Sequence, residues 1–502
     1  MTMGTPLPFT PPPSRARASR APARLAHATL ALASLLALGA CTALAPNQKF
    51  DAPSSAQYLE PPPGWMAAAP ADTLTRGPWW TLFNDPVLAQ LAPQVAVSNQ
   101  NVAAAAAAVE ESWAAVREQR AAFFPTLSAD AGVTRSGVGG HTSSSSSGAT
   151  VSSGGSGNRY SLGLSASWEP DLWGRIANTV SAAKATAQAS EADLANATLS
   201  AQTTFVTDYL SVREADAEIV TLKTTIVGYQ RALTITQNRY NAAIAQKSDV
   251  LQAQTTLANA QADLAALVQQ RAQFFHAMAV LAGQPPATFA LPAGDWNSTA
   301  VPAIPVGVPS DLLQRRPDIA SAERHVAAAN ANIGVARAAY FPSLTLSGSA
   351  NQGATHLGDL FNASSFAWSL GASLAETIFD GGARTARVEE AQASWKQTVA
   401  QYRETVLTAF SAVEDQLSAA SSLEQQQALR KEASQAADQT EQIMQNQYQQ
   451  GIVAYTDVVT AQASALSARR ALMQVSLSRQ TAAISMVAAL GGGWSTQQLA
   501  TK

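Results

Sequence analysis

Charge is what this chain has least of. Asp, Glu, Lys and Arg make up only 13% of its 502 residues, against roughly 25% for an ordinary soluble domain. The formal net charge is −3, so there is no basic surface to neutralise phosphates and no nucleic-acid partner is expected. Cysteine is nearly missing too. Cys41 stands alone, which makes an intramolecular disulfide impossible and rules out CxxC and Cys/His zinc sites. The five histidines, His27, His141, His276, His325 and His356, are scattered, with no i, i+4 pair and no HExxH. Each reads as a surface or packing residue, and no metal site is expected. No Ser/His/Asp order, carboxylate pair with a supporting His or phosphate loop is present either. The reading is therefore of a protein that is not an enzyme and holds no cofactor. Ala, Gln, Ser and Thr take the place of the missing charge in a chain that is 47% hydrophobic, a mixture suited to long helices packed closely on other helices.

The N-terminus carries an export signal. Arg15, Arg17, Arg20 and Arg24 form a positive region, and a run of small and apolar residues follows from Ala26 to Gly39. That run is too short to span a bilayer but has the length of a signal-peptide core. It ends in Leu38-Gly39-Ala40-Cys41, similar to the bacterial lipobox, in which the Cys is acylated and becomes the first mature residue. Residues 1–40 thus read as a lipoprotein signal peptide and Cys41 as the lipidation site. Several acyl chains make a stable anchor, at about 0.8 kcal/mol per buried CH₂. Thr42, rather than Asp, follows the Cys, which implies the outer membrane. Residues 41–85 are Pro-rich, and Pro61-Pro62-Pro63-Gly64 can be neither helix nor central strand. They read as an extended arm.

The rest of the chain is written twice. Phe123-Phe124-Pro125-Thr126-Leu127 recurs as Tyr340-Phe341-Pro342-Ser343-Leu344, and Asn238-Arg239-Tyr240 as Asn446-Gln447-Tyr448. Asp249-Val250-Leu251-Gln252-Ala253-Gln254 recurs as Asp457-Val458-Val459-Thr460-Ala461-Gln462. The offsets are 217 residues from Pro125 to Pro342 and 208 from Asp249 to Asp457, far too long for a solenoid unit and suited to a duplicated domain. Residues 86–283 form the first repeat, 284–309 a Pro-punctuated linker, 310–494 the second repeat and 495–502 a tail. Each repeat reads as helix, β-hairpin and two long helices, with hairpins at about 123–170 and 341–378.

The hairpin strands alternate. Leu127, Ala129, Ala131 and Val133 oppose Thr126, Ser128, Asp130 and Thr134; Phe366, Trp368, Leu370, Ala372 and Leu374 oppose Ser369, Gly371 and Ser373. A period of two puts these sets on opposite sheet faces. Segments of about 9–11 residues with aromatics near their ends suit transmembrane barrel strands, lipid outside and water inside; a half-buried soluble sheet is the competing reading. The polar tract within 136–158 suits an extracellular loop, and 352–364 a shorter one. Four strands cannot close a barrel, because an open edge in lipid leaves unpaired backbone groups. An oligomer follows, of two or of three copies. From Gly174 to about Asn241 there is no proline, and Phe205, Val212, Ile219, Ile226, Leu233 and Tyr240 fall at seven-residue steps. Val399, Val406 and Val413 do the same in the second half. That spacing is coiled-coil packing in helices several times longer than a bilayer is thick.

These features resemble the outer membrane factor family, the TolC-like ducts, in the lipidated branch serving resistance-nodulation-division pumps. The resemblance runs from about Pro78 to Trp494. Its motifs are Gly77-Pro78-Trp79-Trp80-Thr81-Leu82-Phe83-Asn84-Asp85-Pro86, Trp168-Glu169-Pro170-Asp171-Leu172-Trp173-Gly174-Arg175, Arg315-Arg316-Pro317-Asp318-Ile319 and Phe379-Asp380-Gly381-Gly382. Pro125 and Pro342 sit where helix becomes strand, Gly174, Gly381 and Gly382 where strand becomes helix, and Asp318 can cap the helix it opens. The resemblance implies an α+β membrane protein with an internal two-fold repeat. Its homotrimer would form a twelve-stranded transmembrane β-barrel, four strands per protomer, continued by a periplasmic α-helical coiled-coil barrel. It also implies a passive exit duct for drugs and other toxic small molecules, working with a periplasmic adaptor and an inner-membrane transporter and set in outer-membrane lipid. A type I protein-secretion duct is the alternative. The helical tips that would meet the adaptor are Tyr240 to Val250 and Tyr448 to Val458, with Tyr240, Ala243, Asp249, Tyr448, Gly451 and Asp457 as contact candidates. Gly451 keeps the family's glycine, whereas the first tip has Ala243, and Gln447 replaces the usual Arg. Asp249 and Asp457 are candidate gate or cation-attracting positions, or equally well helix caps.

Overall fold

The computed structural model describes residues 45–46, 48, 50–53, 59, 78–137, 156–302 and 312–493. The signal segment, Cys41, most of the arm, the Ser/Gly tract, part of the linker and the tail lie outside the described residues. In chain order the helices and strands are α1 (Pro86–Ser98), α2 (Gln100–Ala121), β1 (Thr126–Gly137), β2 (Ser156–Trp168), α3 (Arg175–Asn241) and α4 (Lys247–Leu281), then α5 (Leu312–Arg315), α6 (Pro317–Ala338), β3 (Ser343–Ala354), β4 (Phe366–Ala375), α7 (Ala383–Gln449) and α8 (Tyr455–Ala489). Duplication shows in the lengths. α2 and α6 each have 22 residues, α3 and α7 each 67, and α4 and α8 each 35. At 1.5 Å per residue the longest pair each extend about 100 Å. Among the described residues no helix is long and apolar enough to cross a membrane.

The chain divides into two compact units. One holds the strands, in residues 123–178 and 334–384. They form a single antiparallel sheet in the order β1-β2-β3-β4. The register sorts the side chains by face. Thr126, Ser167, Ser347 and Gly371 form one row, and Ser128, Ser165, Ser349 and Ser369 the next row on the same face. The rows between them are Leu127, Ala166, Gly348 and Leu370, then Ala129, Leu164, Ala350 and Trp368. The alternation read in single strands therefore holds across all four, one face hydroxyl-rich and the other apolar. Among the described residues nothing covers the apolar face: Leu127 and Leu370 are each 80% exposed and Trp368 68%. At the ends of the strands the two repeats lock together. Trp173 stacks on Phe341 with ring centroids 4.9 Å apart and donates its Nε1 hydrogen to the Pro342 carbonyl at 2.6 Å. Within the first repeat, Trp168 donates to the Phe123 carbonyl at 3.0 Å.

The other unit holds residues 46–122, 179–333 and 385–502. Its seams are the seven-residue series. Phe205, Val212, Val406 and Val413 are fully buried in one cluster with Trp79, Trp80, Phe83 and Leu88. Further along, Leu222 and Leu267 share one cluster and Tyr229 and Leu257 another. A polar chain pins the linker to this core. The Asp85 carboxylate caps α1 by accepting from Val87 and Leu88 N–H at 2.9 and 3.1 Å, and it accepts from the Tyr209 hydroxyl at 2.6 Å. Arg213, only 3% exposed, lies 4.9 Å from the Tyr209 ring centre and donates to the carbonyls of Pro292 and Gly294 at 2.7 and 3.2 Å. A buried guanidinium needs such partners.

The repeats also share a joint by different chemistry. Asn99 caps α2 and donates to the Leu281 carbonyl at 3.0 Å, at the end of α4. In the second repeat Arg316 donates to the Ala489 carbonyl at 2.9 Å, at the end of α8. Asp318 holds that guanidinium through two bonds of 3.0 and 2.6 Å while accepting from Ile319 N–H. Its carboxylate is thus chiefly the clamp on Arg316 rather than the simple cap the sequence suggested.

Candidate functional site

Each long helix pair turns back at a tip, and the two tips use one backbone recipe. α3 ends with Ala243 N–H bonded to Tyr240 O at 2.9 Å and Ile244 N–H to Arg239 O at 2.8 Å. α7 ends with Gly451 N–H on Tyr448 O at 3.0 Å and Ile452 N–H on Gln447 O at 2.9 Å. The pivot residue is left-handed in both, φ 58° at Ala243 and 76° at Gly451. Glycine adopts this without strain; alanine does not. Asp249 and Asp457 then fall in the first turns of α4 and α8, where a carboxylate complements the helix dipole. Asp457 accepts from Ala454 N–H at 3.2 Å, while Asp249 receives the Ser248 hydroxyl at 3.5 Å.

Side chains break the symmetry. Tyr448 is 7% exposed and Tyr240 40%. Tyr448 packs with Ala232, Ala253, Tyr455 and Val458, its ring 5.3 Å from that of Tyr455. Arg239 caps this cluster, donating to the Tyr448 carbonyl at 2.9 Å with its guanidinium 4.5 Å from the ring centre. Burial first, and then the neighbouring Tyr448, Tyr229 and Asp249, push the Tyr455 hydroxyl up to about 12. The structure thus places Tyr448 in this cluster, sets the Asp249 charge where it acts on Tyr455, and leaves Tyr240 outside. Sequence reading left Arg239 just outside the first tip and did not single out Tyr455 within the second. Tyr455 lies 208 positions after Lys247, so it interrupts the repeat, and that interruption was the available signal. Nor did it single out, within those tips, Ile244 and Ile452, equivalent residues just past the two pivots, 68% and 65% exposed.

At the strand-to-helix turns, Gly174, Gly381 and Gly382 have φ of 76°, 64° and 94°. Asp171 accepts from Ile176 and Ala177 N–H at 3.1 and 2.7 Å and so caps α3. Asp380 accepts from Gly382 and Arg384 N–H and from Arg384 Nε at 2.8 Å; the Arg384 bond is the main reason its carboxyl sits below the usual range. Pro125 and Pro342 immediately precede β1 and β3.

An ion network ties the helices together farther from the tips. Arg470 of α8 pairs with Glu218 of α3 and, at 3.4 Å, with Asp263 of α4. Arg469 pairs with Asp438 and Glu441 of α7 at 2.8 and 2.7 Å. Glu214, buried one turn before Glu218, is pushed up to about 7, first by burial and then by the neighbouring Glu218 carboxylate. These pairs fasten α8 to α3, α4 and α7.

The family model described as outer membrane efflux protein matches residues 91–284 and 308–492, once per repeat. The chain belongs to the outer membrane efflux protein family. It is 31% identical to the pyoverdine export outer membrane protein OpmQ of Pseudomonas aeruginosa over 93% of this chain and 97% of that protein. It is also 31% identical to the toluene efflux pump outer membrane protein TtgC of Pseudomonas putida over 92% and 94%. Among solved structures, the open state of the MtrE outer membrane channel of Neisseria gonorrhoeae superposes with a TM-score of 0.75 at 27% identity, covering 91% of this chain and 99% of that one. An outer membrane efflux protein is a channel component of the Gram-negative outer membrane with a large periplasmic part, which agrees with the sheet and the long helices found here.

Proposed function

We propose that three copies of this chain close a twelve-stranded barrel and form the passive exit duct of a tripartite pump for small toxic molecules. The observation that carries this reading is the sheet. It has a hydroxyl face, an apolar face that none of the described residues covers, and two edge strands, β1 and β4. Lipid accepts the apolar face but no open edge, so the edges must pair with other copies. The hydroxyl face then lines water. The duct performs no chemistry of its own; energy comes from an inner-membrane transporter of the resistance-nodulation-division class, handed on by a periplasmic adaptor.

The adaptor contact is assigned to the tips, to Tyr240, Ala243, Asp249, Tyr448, Gly451 and Asp457 together with Ile244 and Ile452. Two exposed isoleucines in equivalent positions give a repeating apolar knob. Cys41 is assigned as an acylated tether, with residues 1–40 removed and 41–85 lying as an arm. Residues 86–283 and 310–494 are assigned as the two repeats, 284–309 as linker and 495–502 as tail. The names of the relatives, for pyoverdine and toluene, speak for small cargo rather than secreted protein.

Deleting the gene tests the pump role. Cells lacking it are expected to accumulate several dyes and antibiotics, and the full-length protein to co-purify its adaptor. Unchanged accumulation with no adaptor would overturn the reading. For the tether, Cys41→Ser is expected to abolish palmitate labelling; a variant that still labels would remove Cys41 from its role.

A further inference from the structure

The hydroxyl face of the sheet carries one carboxylate among neutral neighbours at mid-strand. Asp130 lies in a row with Gly163, Asn351 and Ala367. Its side chain does not stand free beside β2 but leans over Gly163. A β-carbon at Gly163 would meet the two Asp130 carboxylate oxygens at 2.5 and 2.8 Å, and it would meet Asn351 Oδ1, arriving from the other side, at 2.7 Å. The Asn351 amide nitrogen is turned away, donating to the Ser349 hydroxyl at 3.1 Å, which leaves its oxygen directed at the same space. A carboxylate and an amide oxygen therefore converge above a residue that has no side chain. Among the described residues no side chain donates a hydrogen bond to either, and no Lys or Arg pairs with Asp130. A small cation at that β-carbon position would meet all three oxygens within 2.8 Å.

We propose that Asp130 and Asn351, meeting above Gly163, form a weak cation subsite on the water-lining face of the sheet, repeated in each copy of the chain. The cations it suits are monovalent ions and ammonium-bearing solutes, held by one carboxylate and one carbonyl dipole. A single charge is strong enough to raise their local concentration and weak enough to let them go, as a conducting path requires. Arg159 is the opposing charge on this face, its backbone four residues along β2 from Gly163. It reaches across β3, its Nη2 3.4 Å from where a β-carbon on Gly353 would stand. The guanidinium thus adds the opposite charge to the same water-lining face, and its removal bears on passing ions in the opposite sense to removal of the carboxylate.

The inference rests on the barrel reading above, and the test separates the two. The full-length protein is reconstituted in planar bilayers, and the K⁺ to Cl⁻ permeability ratio is read from the reversal potential in a KCl gradient. Asp130→Asn is expected to lower the ratio roughly twofold at low salt, Arg159→Gln to raise it, and both differences to shrink near 1 M salt, where the Debye length is about 3 Å. A conducting Asp130→Asn channel with an unchanged or higher ratio would overturn the cation subsite alone. A wild-type protein that never conducts would overturn the duct reading and the subsite with it.

Discussion

Ala243 is a residue in the wrong conformation for its side chain. It holds φ 58° where its counterpart Gly451 holds 76°, and an L-residue there costs about 1 kcal/mol. Ala243→Gly is therefore expected to stabilise the protein by about that much and Gly451→Ala to destabilise it by a similar amount. Thermal melting of the solubilised protein reads both, and a lower melting temperature for Ala243→Gly would refute the strain. Arg213 gives a loss of another kind. Arg213→Leu leaves the Pro292 and Gly294 carbonyls without their donor and should cost roughly 1–3 kcal/mol. The linker should also become a protease target; equal digestion of wild type and variant would show that Arg213 does not hold it. At this scale the sequence was legible where a motif names its own geometry, as Gly451 and the paired Pro125 and Pro342 do. It was silent on Arg213, because the carbonyls that hold it are about 80 positions away and carry no side-chain signature.

The long helices were legible from the seven-residue series and the absence of proline, down to the break between α3 and α4. What fastens them was not. Glu218 and Arg470 are 252 positions apart, and nothing in either neighbourhood marks the pair. The network also has a titration. Glu214, normally ionising near 4.5, is raised to about 7. The folded state therefore binds a proton that the unfolded state has lost in the window between those values. Stability is expected to fall as pH rises through that window, most of it from removing Glu214 from water beside the Glu218 carboxylate. Glu214→Gln, which cannot ionise, should flatten the profile. Melting temperatures of both proteins between pH 5 and 8 decide it, and parallel profiles would exclude Glu214 as the cause.

At the scale of the molecule, the doubled pattern gave the repeat and the strand alternation gave the two-faced sheet. The number of copies is proposed from family resemblance alone, since open edges demand partners without counting them. That count is also the central claim, and cysteine pairing across the edges tests it most directly. In a Cys41→Ser background, cysteines at Ser128 or Thr134 of β1 are combined with cysteines at Ser369 or Ser373 of β4, all on the hydroxyl face. Within one chain β2 and β3 lie between these strands, which puts β1 and β4 about 14 Å apart at ~4.8 Å per strand. A disulfide, which needs Cα atoms within about 7 Å, cannot form there. Bonds between chains are expected in at least one register, giving a ladder on a denaturing gel that stops at three chains. A ladder that stops at two or runs past three, or no intermolecular bond in any register, would contradict the three-chain barrel.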